Sequence, residues 1–372
     1  MPTSRPLHVV VVGGGILGAS TAAHLVRGGA KVTLVSSGTL GDGASGRSLA
    51  WINSSGIRSR HYNSLRMLGI DRYRRWLAQR PGSERYLRFD GALKWASPGD
   101  SLRDTFEHER SRGYDAVWLS RSEIAARLSD VRTQAVHEEG AIFNPGEGWI
   151  DLPHLIPELV AEAVAGGATV LERVGPVDVQ RDDDGVRAVR LQDGRLVLAD
   201  HVVLATGADA PAQLASLGVP VPDATVPACL VMTDPLAAPV RTVLNTPRVA
   251  VRPTPDGGVA LDSRWAEESV VVEPDGELSV PDDTVTGLLA EAAEVLSGAP
   301  RLTVRRVGLG PKPIPGDGEP VVGTVKAVPG LSVLFTHSGA TLGLILGEIV
   351  AEEVLTGRPS PVLQPFRIDR FS

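Results

Sequence analysis

The 372-residue sequence predicts a two-domain α/β fold, in which a parallel sheet interleaved with helices is interrupted by a second, sheet-based domain. Three observations predict it. Four consecutive valines, Val9 to Val12, run into a glycine-rich turn; a βαβ rhythm returns between Asp151 and Gly207; and the stretches around residues 81–140 and 226–299 lose that rhythm and turn strand-rich. With 42% hydrophobic residues, the chain is long and apolar enough to bury a core of its own.

The valine run is too dense for one face of a helix and reads as a strand covered on both sides, as in a parallel sheet. Gly13, Gly15 and Gly18 follow it in the order G-x-G-x-x-G, with Ile16 and Leu17 between, at the strand-to-helix position where that spacing has a physical meaning. The first glycine permits the tight turn, the second lets a diphosphate approach the backbone, and the third lets helix pack on strand. The helix N-terminus then offers N–H groups and a positive dipole end to an anion. A second strand, Lys31 to Val35, ends at Ser36 and Ser37, where the motif calls for an acid to hold the ribose hydroxyls. Serine bonds one hydroxyl without a bidentate charged acceptor.

Next comes the small, hydroxyl-bearing segment Gly41–Trp51, which is rich in backbone donors. A helix is expected from about Tyr62 to Gln79, with Arg60 and His61 just ahead of it, placed to turn into a cleft. Ser120 caps a helix from Arg121 to Leu128. Helix 151–165, strand 168–171 and a hairpin broken by Asp182, Asp183 and Asp184 restore the first domain, and the acidic triplet reads as a solvated turn. The strand His201–Leu204 ends in Ala205-Thr206-Gly207, small enough for close backbone approach. After the second strand-rich stretch, 305–318 reads as a rigid proline-studded loop, followed by strand Leu331–Phe335, the turn Thr336–Thr341 and a helix from about Leu342. The domains expected are thus 1–80, 141–225 and 300–372 for the nucleotide, and 81–140 with 226–299 for the substrate.

A formal charge of -7 argues against a general nucleic-acid surface. No apolar run reaches the eighteen or so residues of a membrane span, and the hexamer before the glycines is short for a signal peptide, so a cytoplasmic protein is expected. The one cysteine, Cys229, excludes an internal disulfide, and scattered histidines give no metal-ligand spacing.

Taken together and in this order, Gly13–Gly18, Ala205-Thr206-Gly207 and the turn His337-Ser338-Gly339 before a helix resemble the FAD-dependent D-amino-acid oxidase-like family, which includes glycine oxidase, sarcosine oxidase and D-amino-acid dehydrogenases. The resemblance implies a Rossmann-like FAD-binding domain of the glutathione-reductase type. It also implies that Ser45, Gly46, Arg47, Ser48 and Leu49 form a second flavin-contacting loop, that Gly339, Ala340, Thr341 and Leu342 face the flavin pyrimidine edge, and that Val174 meets the adenine. In glycine oxidase-like members an Arg-Pro pair grips the substrate carboxylate; Lys312-Pro313 stands at that spacing here, keeping the charge and losing the fork. Loop matching places Gly310 where sarcosine oxidase-like members carry the flavin-bonded cysteine, which implies non-covalent FAD, and Thr341 where they carry a carboxylate-binding lysine. Arg60 resembles a substrate-facing arginine of that branch, and His337, His61 and Arg252 are further substrate-site candidates.

The implied reaction is oxidation of an amine or amino acid. Hydride passes from Cα–H to flavin N5, an imine forms, and O2 or another acceptor takes the electrons, O2 giving H2O2. Alternatives on the same fold are a dehydrogenase with a non-oxygen acceptor, a redox-inactive nucleotide-binding protein, and an NAD(P) dehydrogenase.

Overall fold

A computed structural model describes residues 5–371 and divides into two units. The first comprises residues up to Gly46, Leu152–Val226 and the chain from Pro311. Its elements are β1 (His8–Val12), α1 (Ile16–Arg27), β2 (Lys31–Val35), α2 (Leu152–Ala165), β3 (Thr169–Leu171), β4 (His201–Leu204), β5 (Val321–Thr324), β6 (Leu331–Phe335) and α3 (Gly339–Thr356). The sheet order is β5-β6-β4-β1-β2-β3. Every pairing from β6 to β3 is parallel, and only the edge strand β5 runs antiparallel.

The valine run is buried as its composition demands: Val9, Val10 and Val11 have no solvent exposure. Each such burial contributes about 1.5–3 kcal/mol. Val10, Val12, Val202, Leu204, Val333 and Phe335 pack against the hairpin residues Val186 and Val189. Helix α1 crosses α3 closely, because a Cβ at Gly347 would collide with Ser20, whose hydroxyl donates to the Leu344 carbonyl at 3.4 Å. The small residues of the family-like glycine helix therefore serve packing as well as the turn.

The second unit comprises Arg47–Asp151 and Pro227–Gly310. Its eight-stranded sheet runs Val304–Lys312, Val226–Thr233, Val259–Asp262, Ala250–Pro253, Val243–Asn245, Ala92–Lys94, Ala141–Asn144, Val117–Leu119. Helix Asp282–Val295 covers it through Leu288, Ala292 and Val295. A small sheet joins Trp51–Ile52 to Gly148–Ile150, and Gly148–Ile150 to Leu87–Arg88.

That small sheet moves the expected boundaries. Residues 47–80 and 141–151 belong with the second unit, because Trp51 pairs across strands with Trp149 and so stitches the two segments together. Residues 304–312 form a nine-residue strand rather than the start of a loop, since they extend the large sheet beside Val226–Thr233. The loop proper begins after Lys312 and is pinned to its neighbour, with Ala224 N donating to the Ile314 carbonyl and Gly316 N to the Pro222 carbonyl, each at 2.9 Å.

Candidate functional site

Five parallel strands of one sheet present their carboxyl ends on one edge, and the segments that follow them are the ones the sequence singled out. Gly13–Gly18 follows β1, Ser36-Ser37 follows β2, Val174 follows β3, Ala205-Thr206-Gly207 follows β4, and His337–Leu342 follows β6. Ligands of such sheets bind beyond the carboxyl ends of the strands.

The glycine turn at the end of β1 is built for close approach. Gly13 has φ +119°, a left-handed conformation that disfavours side chains, and a Cβ there would meet the Ala205 carbonyl. A Cβ at Gly18 would meet the Gly13 carbonyl. At Gly14 it would lie 2.5 Å from the Ser36 hydroxyl and at Gly15 3.1 Å from the Ser45 hydroxyl. Ser36 is thus buried at 4% against the turn, its backbone tied on both sides: Ser36 N donates to the Leu171 carbonyl at 2.8 Å, and Val174 N donates to the Ser36 carbonyl at 3.3 Å. Ser37 is exposed beside it and its carbonyl accepts from Gly175 N at 3.1 Å.

Both helices on this edge start without an acid. α1 is capped by Gly15 with no side-chain bond and carries no Asp or Glu in its first turn; Ile16 N donates to Ser45 Oγ at 3.1 Å. α3 begins at Gly339, three residues earlier than expected, behind Ser338, again with no side-chain cap bond and no first-turn acid. Two positive dipole ends without a carboxylate and a turn with no room for Cβ atoms fit a dinucleotide with an anionic diphosphate and an electron-rich ring. FAD is such a group, so the residues present fit it. Thr341 and Leu342 are buried, Gly339 and Ala340 partly so.

His337 lies exposed in the turn between β6 and α3, and Lys312 is half-buried at the end of its strand. In the second unit, Arg47 closes a short 3-10 turn, Ala44–Arg47, and its side chain lies along the backbone of the long strand. A Cβ would fall 3.0 Å from the Arg47 chain at Gly308 and 2.6 Å from its Nε at Gly310, and this Nε is buried without a hydrogen-bond partner. Gly46, Ser48 and Leu49 are half-buried around it, and Ser48 Oγ accepts from Ala50 N at 3.0 Å.

Arg60 and His61 are not ahead of their helix but its first two residues. Ser59 provides the cap, accepting from Tyr62 N at 3.2 Å, so the helix spans Arg60–Gln79 and both side chains are exposed on its first turn. Arg252, by contrast, is 2% exposed. It faces Asp151 at 3.6 Å and lies 5.6 Å over the Trp149 ring, while its own Nε and Trp149 Nε1 are buried without partners. Burial lowers the Arg252 guanidinium pKa, and Asp151 opposes the shift.

Sequence reasoning missed a buried polar group in this unit. Arg58 and Arg66 each stand 5.4 Å from the Tyr62 ring centroid, and burial with the neighbouring Arg66 lowers Arg58 to about 10. Glu147, Glu109, Lys94 and Tyr114 are buried nearby in the fold. Their signal was absent because the partners come from separate strands and helices. Cys229 is a core residue, 1% exposed, with burial lifting its thiol to about 11. Asp182 accepts from Asp184 N at 2.9 Å and pairs with Arg187, an exposed turn. Among the described residues no His, Cys, Asp or Glu cluster is arranged for a metal, and no helix is long and apolar enough to cross a membrane.

Known proteins agree with this geometry. The chain is 25% identical over 376 residues to the glycine oxidase of Geobacillus kaustophilus, covering 97% of this chain and 96% of that protein. The solved structure of a Geobacillus kaustophilus glycine oxidase superposes with a TM-score of 0.81 at 23% identity, covering 97% of each chain. It is 32% identical over 226 residues to the 4-methylaminobutanoate oxidase (formaldehyde-forming) of Paenarthrobacter nicotinovorans, 58% of this chain and 26% of that one. A tRNA 5-methylaminomethyl-2-thiouridine biosynthesis bifunctional protein of Chromohalobacter salexigens is 30% identical over 226 residues; the match takes in 59% of this chain and about a third, 31%, of that longer protein. The FAD dependent oxidoreductase (DAO) family profile matches residues 8–353, nearly the whole length. The chain belongs to the FAD dependent oxidoreductase (DAO) family.

Proposed function

We propose that this flavoenzyme oxidises the C–N bond of a small amine or amino acid to an imine, with O2 as the acceptor and H2O2 as the second product. The observation that carries the reading is the single sheet edge on which Gly13–Gly18, Ser36, Val174, Ala205–Gly207 and Gly339–Leu342 gather, beside two helix N-termini without acids. The similar glycine oxidase and 4-methylaminobutanoate oxidase support an amine as the group oxidised.

FAD, when bound, supplies the hydride acceptor. The chain's own residues seat and orient. The N-terminus of α1, where Ile16 N already donates to Ser45 Oγ, would hold the diphosphate by backbone N–H groups, Ser36 and Val174 would border the adenosine half, and Gly339–Leu342 would offer the dipole of α3 to the ring. With serine where the motif has an acid, position 36 would offer the ribose a single hydroxyl in place of a bidentate charged acceptor. Lys312 draws in a substrate carboxylate as a point charge, where a bidentate arginine would also fix its plane. His337 stands on the same edge as the Gly339–Leu342 turn, and Arg252, Arg60 and His61 are the substrate-site candidates of the second unit. A neutral amine needs no side-chain base, so these groups bind and orient.

Anaerobic addition of glycine, sarcosine, D-alanine and L-proline to the yellow protein tests the reading. Loss of visible flavin absorbance with at least one amine, then stoichiometric peroxide on admitting air, is expected. Reduction without peroxide transfers the reading to a dehydrogenase; a colourless protein that retains no added FAD ends it.

A further inference from the structure

The residue beside Ser36 in the first unit's sheet is an acid. β2 and β3 pair in parallel with Val35 opposite Leu171, so the next residues of the two strands, Ser36 and Glu172, stand side by side at the carboxyl edge. Ser36 N on the Leu171 carbonyl at 2.8 Å carries the pairing past the strand ends. The two positions differ in access: Ser36 is 4% exposed under the glycine turn, its Oγ 2.5 Å from the place of a Gly14 Cβ, whereas Glu172 is exposed. The dinucleotide motif places its acid at the end of β2; this chain carries one a strand further out, about 4.8 Å to the side.

The Glu172 carboxylate does not stay over its own strand. Its Oε2 accepts from Leu40 N at 3.1 Å, and Leu40 belongs to the loop that leads from β2 back to the glycine turn: Gly41 N donates to the Gly14 carbonyl at 2.9 Å, and a Cβ at Gly14 would lie 3.0 Å from Leu40 Cδ2. The side chain is thereby drawn from β3 toward Gly13–Gly18. Its backbone is fixed as well. Arg173 is left-handed at φ +56°, a conformation that a residue with a side chain keeps only where its surroundings over-determine it. The surroundings here are Arg173 N on the Gly38 carbonyl at 3.0 Å, Val174 N on the Ser36 carbonyl at 3.3 Å and Gly175 N on the Ser37 carbonyl at 3.1 Å. A carboxylate has about four lone-pair sites, so one bond to an amide leaves most of them for a ligand. The nearby acid Asp42 is turned inward instead, its Oδ2 accepting from Thr39 N at 2.7 Å and from Thr39 Oγ1 at 3.2 Å.

We propose that Glu172 is the ribose-binding acid of this chain: its carboxylate accepts from the hydroxyls of the FAD adenosine ribose, to which position 36 offers only a serine. The acid has moved one strand outward, and its bond at Leu40 brings it back over the loop. Hydroxyls donating to an ionised carboxylate make charge-assisted bonds, roughly twice as strong as neutral ones. The proposal rests on the FAD of the family and holds whichever amine is oxidised.

The test is nucleotide binding, read without turnover. Apoprotein of wild type, E172Q and D42N is titrated with FAD and with its analogue bearing 2′-deoxyadenosine, and flavin fluorescence gives the two Kd values. E172Q keeps an oxygen for Leu40 N and removes the charge. Wild type binds FAD about ten-fold more tightly than the deoxy analogue, the worth of one charged hydrogen bond; E172Q binds FAD about ten-fold more weakly than wild type and narrows the preference to about three-fold or less. D42N keeps both wild-type Kd values, and E172Q without nucleotide keeps the wild-type melting temperature, since the bond from Leu40 survives. A preference that is absent in wild type, persists in full in E172Q or collapses in D42N overturns the proposal. So does an equal loss for both nucleotides with a lowered melting temperature, which would make Glu172 a clasp on the loop alone. FAD bound as expected but reduced by no amine sinks the proposed reaction and leaves the assignment of Glu172 standing.

Discussion

The sheet edge of the first unit and the interior of the second are built by different means. At the edge, close packing is made by backbone: a glycine turn that admits no Cβ, two helix ends without acids, and short hydroxyl residues at Ser36 and Ser45. In the interior of the second unit it is made by long polar side chains in pairs, Lys94 with Glu109, Arg252 with Asp151, and the half-buried Trp51 with Glu147. Backbone donors are fixed in place by the fold and tolerate little change of sequence locally. Side-chain pairs are costly to bury and depend wholly on each other, so single substitutions should do most harm at such pairs, in the second unit and at Glu353 with Arg367 in the first.

The strongest way to break that contrast is Glu109→Ala. It leaves the Lys94 ammonium, 9% exposed, without its carboxylate, and the expected loss is about 3–5 kcal/mol in denaturant unfolding. The double change Lys94→Met with Glu109→Leu should return most of it. A single-mutant cost under about 1 kcal/mol, typical of exposed pairs, would erase the distinction. Next in size is Lys312→Met, expected to weaken kcat/KM for carboxylate-bearing amines by the worth of a charged hydrogen bond, about 1.5–3 kcal/mol, and to spare uncharged amines. Equal effects on both substrate types would remove Lys312 from recognition. Gly13→Ala sharpens the backbone side: at φ +119° and against the Ala205 carbonyl, strain of about 1–3 kcal/mol should appear as FAD lost on gel filtration.

The smallest effect is on pH. Glu147 holds its proton in the folded state up to about 8, above its ordinary 4.5, so the folded protein binds more protons than the unfolded one across that window and stability falls as pH rises through it. His201 acts from the other side. Burial pushes its imidazole down to about 4 from 6.5, so its contribution is present above 6.5 and is lost as pH falls toward 4. Thermal midpoints should therefore carry a downward contribution from Glu147 between about pH 4.5 and 8 in wild type, absent in Glu147→Gln.

The same contrast explains what could be read from the chain. Gly13, Gly15 and Gly18 lie within six residues, and backbone recognition leaves such a compact trace; the parallel sheet, α1 and the small strand end at Ala205–Gly207 were legible for that reason. Helix Arg121–Arg127 carries the full capping box at Ser120 and Glu123, again a local signal. Trp51 and Glu147 are 96 positions apart, and nothing local marks either. The boundaries at 47 and 151 were missed through the same cause: two- and three-residue strands joined across the chain have no periodicity to detect. Arg60 and His61 were placed ahead of their helix because Ser59, the true cap, stands beside two polar residues that could also have begun it.

Arg47 lying flat along Gly308 and Gly310 has a last implication. With the guanidinium over position 310, even a Cβ there would have to displace the Arg47 side chain. A cofactor held only by fit comes and goes by mass action, so the melting temperature should climb with added FAD by the logarithm of its concentration over the dissociation constant. A protein whose melting temperature rises in this way would be open to exchange of its cofactor for flavin analogues, and one whose melting temperature ignores added FAD would not.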